Sequence, residues 1–276
     1  MANETLTGNR NKWKGKIEMR ILSTFNDKIY DLSGKDLLNS IEENMPDAEV
    51  WVYHEVSEDR LEEIESKNLN IEIIDIRRLP EYNTVLNRNK DIIDPQYGGI
   101  AEGLGHWNWR WFGWWKKILM QYDAVVRKRH KGTNIFLDAD IRFTKPMPQS
   151  FIDETLEKPV GLFKGDRTSV EAGLIVVDGL SDFAVTFYNF TMELFLNQTF
   201  RRFPRWDDSF ILAKSMERWP HVTQDLAGDV KSATHTNSNG HKTSDQVIPF
   251  TRWGMYVEHD KGKYIRSELG DINVPK

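Results

Sequence analysis

The sequence predicts an α/β protein with a mainly parallel central sheet flanked by helices, and three observations lead there. Short apolar runs alternate with amphipathic helical segments at strand–helix–strand spacing in the first part of the chain. With 276 residues, 39% hydrophobic and 29% charged, the chain has the balance of a folded protein with a substantial core. Cysteine is absent, so no disulfide scaffold holds the fold; thiol nucleophiles and zinc–thiolate centres are also excluded, and a reducing cytoplasm is the expected setting.

Element by element, the polar residues 1–18 form an expected flexible arm, and 19–276 an expected single domain. EMRILST is a short buried strand ending near Ser23 and Thr24. A helix around Asp31–Glu43 carries Leu37, Leu38 and Ile41; AEVWVYHE is a second strand, SEDRLEEIESK a charged helix opened by Ser57, and NIEIIDI a third strand. Residues 81–106, rich in Asn, Asp, Pro and Gly, predict an irregular connection. They lead into HWNWRWFGWWKKILMQYDAVVRKRHK, where Trp107, Trp111, Trp114, Trp115, Ile118, Tyr122, Val125 and Val126 recur at helical spacing. That stripe fits a buried aromatic face better than a ligand platform, and leaves Arg110 and Lys116 off it as candidates for function.

TNIFLDADIRF then predicts a strand running into two aspartates, followed by a turn at Thr144-Lys145-Pro146. KPVGLFKG and VEAGLIVVDG are further strands, while SDFAVTFYNFTMELFLNQ and DDSFILAKSMERW are helices. From Asp229 to Gln246 the chain is polar without periodicity, which predicts a mobile loop.

Charge and hydropathy narrow the partners. The 37 basic and 42 acidic side chains give a net charge of −5, which opposes a protein coated in nucleic acid but allows one basic groove. No segment approaches the ~20 apolar residues of a membrane span. The basic start has no apolar stretch behind it, so no signal peptide is expected.

Neither GxGxxG nor GxxxxGK[ST] follows a strand, which removes the usual dinucleotide and P-loop readings. The sharpest chemical signal is Asp138-Ala139-Asp140, placed directly after the apolar run Asn134–Leu137. Carboxylates at a strand's C-terminal end lie where open α/β sheets bind ligands. Alternate residues of an extended segment face the same way, so Asp138 and Asp140 are expected to converge on one hard cation that neutralises a diphosphate.

FLDADIRF resembles the D-x-D strand of nucleotide-sugar glycosyltransferases of the GT-A fold. ILSTFND, the WWKK helix, VEAGLIVVDG and HDKGK follow in the order of that family. The resemblance implies a GT-A-like fold and a nucleotide-sugar donor, a UDP-hexose such as UDP-glucose. It further implies Mn²⁺ or Mg²⁺ held by Asp138, Asp140 and His259, with donor contacts from Ser23, Thr24, Arg110, Lys116, Asp138, Lys261 and Lys263. Glu171 sits where it expects an acceptor-facing residue.

Asp207 and Asp208 open a helix, so either is an N-cap candidate. Asp208 is also the favoured general base, because direct displacement at the sugar carbon needs a carboxylate for the acceptor proton. The STFND, WWKK and HDKGK pattern resembles phage-type enzymes and the base-J glucosyltransferase group, which implies hydroxymethylated pyrimidines in DNA as acceptor and a bacterial host cytoplasm. Arg201, Arg202 and Arg205 are then candidates for acceptor phosphates, or simply an exposed loop. A transferase of surface polysaccharide or lipid-linked saccharide is the alternative, and a saccharide-binding module using exposed tryptophans the non-enzymatic one. Arg127–Lys131, ending a helix at the other edge of the sheet, is expected to compensate the helix dipole.

Overall fold

A computed structural model of the chain describes residues 19–92, 111–236 and 242–260. The strands are β1 (Met19–Asn26), β2 (Glu49–Glu55), β3 (Asn70–Asp75), β4 (Thr133–Leu137), β5 (Ile141–Phe143), β6 (Val160–Leu162), β7 (Leu174–Asp178), β8 (Thr223–Asp225), β9 (Ala233–Thr236), β10 (Lys242–Gln246) and β11 (Val257–His259). The helices are α1 (Asp27–Ile29), α2 (Lys35–Asn44), α3 (Glu58–Glu65), α4 (Pro80–Arg88), α5 (Trp111–Tyr122), α6 (Gln149–Thr155), α7 (Asp182–Leu196) and α8 (Asp208–Arg218).

Seven strands form the central sheet in the order β3-β2-β1-β4-β7-β6-β8. The first four are parallel; β7 runs antiparallel to β4 and β6, and β8 is parallel to β6. Side chains of consecutive strand residues face opposite sides, and the core divides accordingly. Leu22, Trp51, Tyr53 and Phe136 join a cluster with Val85 of α4, Trp115 of α5, Phe187 of α7 and Ile211 of α8. Ile21, Val50, Val52 and Ile135 join another with Leu37, Leu38 and Ile41 of α2 and Ile64 of α3. Helices therefore cover both faces, as near-continuous apolar strands require.

β1 to β3 wind outward with α2 and α3 on one face, and α4 and α5 return the chain on the other face to place β4 beside β1. Strand order reverses there, and the C-terminal ends of β1 and β4 meet at the position where open α/β sheets bind ligands. The second layer of packing is aromatic: Trp111 and Trp115 are fully buried, as the helical stripe predicts. Trp115→Ala is expected to cost about 3–5 kcal/mol in denaturant unfolding.

Several segments depart from expectation. α4 lies inside the connection read as irregular; Pro80 at its first turn is a helix starter, and Val85 anchors it. The polar stretch before Gln246 contains an antiparallel pair, β9 and β10, whose backbone pairing needs no apolar alternation. β8 and α6 are too short to show a period. The first helix begins as α1, widens over Tyr30–Gly34 and continues as α2. The D-x-D strand is two strands: β5 leaves the central sheet and pairs antiparallel with β11, so that His259 stands opposite Ile141. No helix among the described residues is long and apolar enough to cross a membrane. The arm at 1–18, Arg110, Lys261 and Lys263 lie outside the described residues.

Candidate active site

Asp138 follows the last residue of β4, at the point where the strand order reverses. Its backbone N–H donates to the Gly173 carbonyl (2.8 Å), and its own carbonyl accepts from Ile141 N–H (3.0 Å). Asp138–Asp140 therefore forms a tight turn and not the extended segment that the alternation argument assumed. The turn brings the two carboxylates together, and the β5–β11 pairing brings the third group: Asp260 N–H donates to the Asp140 carbonyl (2.8 Å), which draws His259 alongside. One ligand atom from each of Asp138, Asp140 and His259 lies within 4.8 Å of the other two. His259 Nε2 is 3.2 Å from Asp140 Oδ1.

The imidazole is closely held. Its Nδ1 is 2.9 Å from Glu171 Oε1, and Glu171 Oε2 accepts from the N–H groups of Val247 (2.6 Å) and Ile248 (3.2 Å). A Cβ at Gly173 would come within 2.6 Å of His259 Cε1, so only glycine lets the ring lie against this strand. Glu171, expected to face an acceptor, is instead buried behind the histidine, because both its oxygens are drawn to donors on that side. Burial alone would lower the His259 pKa, but the carboxylates of Asp140 and Glu171 outweigh it and raise it to about 10. Asp140 moves the other way: despite burial, His259 and Lys117 hold its carboxyl below the usual range. Asp138 is pushed up by burial and by the neighbouring Asp140 and Asp208, against the pull of Lys117.

Lys117 is the residue that sequence reasoning missed. Its ammonium lies 2.6 Å from Asp138 Oδ1 and also pairs with Asp208 Oδ2, tying the D-x-D turn to the start of α8. The expected lysine was its neighbour Lys116, which pairs with Glu55 and lies 4.9 Å from the Phe112 ring centroid. One residue is about 100° around a helix, so adjacent lysines of WWKK face different neighbours. The apolar period singled out Lys116, and nothing in it pointed to Lys117 as the lysine that meets Asp138.

Asp207 and Asp208 divide the roles that the sequence left entangled. Asp207 is the N-cap of α8, accepting from Phe210 N–H (3.1 Å), and it also holds Arg205 through two contacts of 2.9 Å. Asp208 is not the cap, and its carboxylate meets Lys117. Ser23 Oγ donates to the Leu137 carbonyl (2.8 Å), bracing the strand end beneath Asp138, and Thr24 is half-buried beside it. Of the candidate phosphate-binding arginines, Arg201 is engaged by Asp91 (2.8 Å) and Asn89 (2.7 Å), Arg205 by Asp207, and Arg202 is exposed. Among the described tryptophans, Trp51, Trp111, Trp115, Trp206 and Trp253 are buried, which removes them as a saccharide platform.

The sequence matches no family model and no curated protein sequence. Solved structures do resemble the fold. The apo form of mouse xyloside xylosyltransferase 1 superposes with a TM-score of 0.51 at 11% identity, over 76% of this chain and 85% of that one. The fold is that of a GT-A-type glycosyltransferase. The bifunctional glycosyltransferase WbbM gives a TM-score of 0.49 at 14% identity, over 78% of this chain and 39% of its own. GlyE of Streptococcus pneumoniae TIGR4 gives 0.48 at 9% identity, over 76% of this chain and 45% of that one. This chain thus spans less than half the length of the latter two.

Proposed function

We propose that this chain is a divalent-metal-dependent glycosyltransferase that moves a hexose from a nucleotide sugar, in the sequence reading a UDP-hexose, onto a hydroxyl acceptor and releases the nucleoside diphosphate. The observation that carries the proposal is the convergence of Asp138, Asp140 and His259 at the strand-order reversal of a glycosyltransferase fold. Two carboxylates and an imidazole make a donor set that suits Mn²⁺ and accommodates Mg²⁺. A cation held there supplies Lewis-acid charge to a departing nucleoside diphosphate. Burial, with the neighbouring carboxylates of Asp140 and Asp208, raises the Asp138 pKa, and a bound cation would offset both effects.

The chain's own residues carry the remaining roles. Lys117 places a fixed positive charge between Asp138 and Asp208, which holds the D-x-D turn against the start of α8 and offsets the repulsion between the two carboxylates. Asp208 is the proposed base for the acceptor hydroxyl: its Oδ1 accepts from Ser209 N–H (2.9 Å), and its Oδ2, now paired with Lys117, is the oxygen that would take the acceptor proton. Ser23 and Thr24 lie within β1, where Ser23 braces the end of β4 through the Leu137 carbonyl.

The DNA-acceptor reading gave Arg201, Arg202 and Arg205 the phosphates. With Arg201 and Arg205 already bound to carboxylates, a saccharide hydroxyl is the favoured acceptor, and a hydroxymethylated pyrimidine in DNA is the second reading, carried by the sequence resemblance. The test is a donor-hydrolysis screen over UDP-, GDP- and CMP-sugars with Mn²⁺, repeated with saccharides, hydroxymethylated DNA and unmodified DNA. Metal-dependent UDP-sugar turnover is expected. Absence of turnover with every donor, together with no Mn²⁺-dependent UDP binding, would return the chain to a binding role.

A further inference from the structure

We propose that Glu171 is a positioning residue that fixes the ring tautomer of His259 and so presents Nε2 to the cation. The inference rests on the metal reading above. Glu171 and His259 are 88 positions apart in sequence, yet Glu171 Oε1 is 2.9 Å from His259 Nδ1 in a buried contact. The other oxygen is not free to turn away, because it accepts from Val247 N–H at 2.6 Å and Ile248 N–H at 3.2 Å, with Arg167 at 3.7 Å. A carboxylate can only accept, so Nδ1 must carry a proton. The neutral ring then has its lone pair on Nε2, the nitrogen that faces Asp140. Such an outer carboxylate orients a ligating histidine and strengthens its donation.

Two further contacts hold the same pose. Gly173 leaves the ring its place on the strand, and Gln246 Nε2 donates to the His259 carbonyl (3.1 Å). Glu171 and Gly173 belong to one short stretch, Glu171-Ala172-Gly173, so the segment that admits the ring also orients it.

Glu171→Gln separates shape from chemistry. The glutamine amide offers one oxygen and one NH₂, and the two backbone N–H groups of Val247 and Ile248 demand the oxygen. The NH₂ then faces His259 Nδ1, which must accept, and the ring proton moves to Nε2 and blocks the lone pair. Mn²⁺ calorimetry on E171Q is expected to show binding about 10–100-fold weaker than wild type. Because the effect acts through His259, E171Q added to H259A should cost nothing beyond H259A alone; a merely structural role would lower thermal stability and leave the double variant additive. Undiminished Mn²⁺ affinity in E171Q beside a weakened H259A overturns this role for Glu171 and spares the metal centre. Undiminished affinity in H259A and in D140A overturns the metal centre and this inference with it. Should E171Q not fold, ring-nitrogen NMR of ¹⁵N-histidine wild-type protein with Zn²⁺ as diamagnetic probe decides: a protonated Nδ1 and metal-bound Nε2 support the role, and a metal-bound Nδ1 overturns it.

Discussion

Charged side chains gather at both ends of β4, and the two gatherings are built on opposite principles. At the N-terminal end, each named cation is closed on a carboxylate: Arg20 on Glu49 (3.1 Å), Lys128 on Glu72 (3.1 Å), Arg129 on Asp182 (2.9 Å), and Arg127 on Glu81. The Arg20 guanidinium also lies 3.5 Å from the Trp51 ring centroid. At the C-terminal end, Asp138, Asp140 and Asp208 converge with Lys117 and His259 among them, and the pKa values of Asp138 and Asp140 are driven in opposite directions. The basic run at one end is thus held in ion pairs, whereas the carboxylate excess at the other end gathers three groups that could hold a metal ion. Local sequence density of charge does not separate these cases; the partners brought in by the fold do.

The sharpest way to break the contrast is to remove a carboxylate from the C-terminal end. Asp138→Ala and Asp140→Ala should each abolish Mn²⁺-supported UDP binding, a loss beyond the ~10–100-fold of an outer contact, while far-UV circular dichroism stays unchanged. Calorimetry showing normal affinity in both would reduce this end to another structural cluster. Next, Asp208→Asn should slow transfer by about 10²–10⁴-fold with donor binding retained. Asp207 keeps α8 capped in that variant, so helix stability does not confuse the result, and near-normal transfer would mean that the reaction retains configuration or uses another base.

Proton linkage gives a third measurement. With its pKa raised to about 10, His259 is protonated at neutral pH in the metal-free protein, and a cation must displace that proton. Mn²⁺ affinity should rise by about tenfold per pH unit between pH 6 and 8, and calorimetry in buffers of different ionisation enthalpy should register close to one proton released. The sign for folding is the reverse: a raised histidine pKa stabilises the metal-free protein fully below the unfolded value near ~6.5 and loses that contribution as pH rises towards about 10. A flat Mn²⁺ affinity across this range would count against His259 as a ligand.

Smaller effects sharpen the comparison. Lys117→Met leaves Asp138 and Asp208 facing each other without their shared cation, so the metal-free protein should lose about 3–5 kcal/mol, and Mn²⁺ should restore part of it in thermal melts. Lys116→Met, beside it in sequence, should cost less and show no such rescue, since its partner is Glu55. At the other end of β4, neutralising Arg127, Lys128 and Arg129 together should cost about 1 kcal/mol or less per pair and leave UDP affinity unchanged.

The sequence by itself determined the layers of this protein and the strand end at which its candidate metal ligands gather. Apolar runs such as Ile135, Phe136 and Leu137 need cover on both faces, so the strand-and-helix order already implied a mainly parallel α/β sheet, and Asp138 at the end of such a run already marked the edge where Asp140 and His259 join it. The helical period of Trp111, Trp115 and Ile118 likewise fixed a buried face. These signals are local, because they depend on neighbours within one element. What only the tertiary structure decided was which polar groups meet: Lys117 in place of Lys116, Glu171 behind His259 and not before an acceptor, Asp207 as the cap and Asp208 beside the lysine. The β5–β11 pairing joins Ile141 to His259 across 118 positions of chain, and the α5–β4–α8 triangle joins Lys117, Asp138 and Asp208. A hydrogen bond or ion pair is chosen by distance and angle between side chains far apart in sequence, and no period within a single element encodes it.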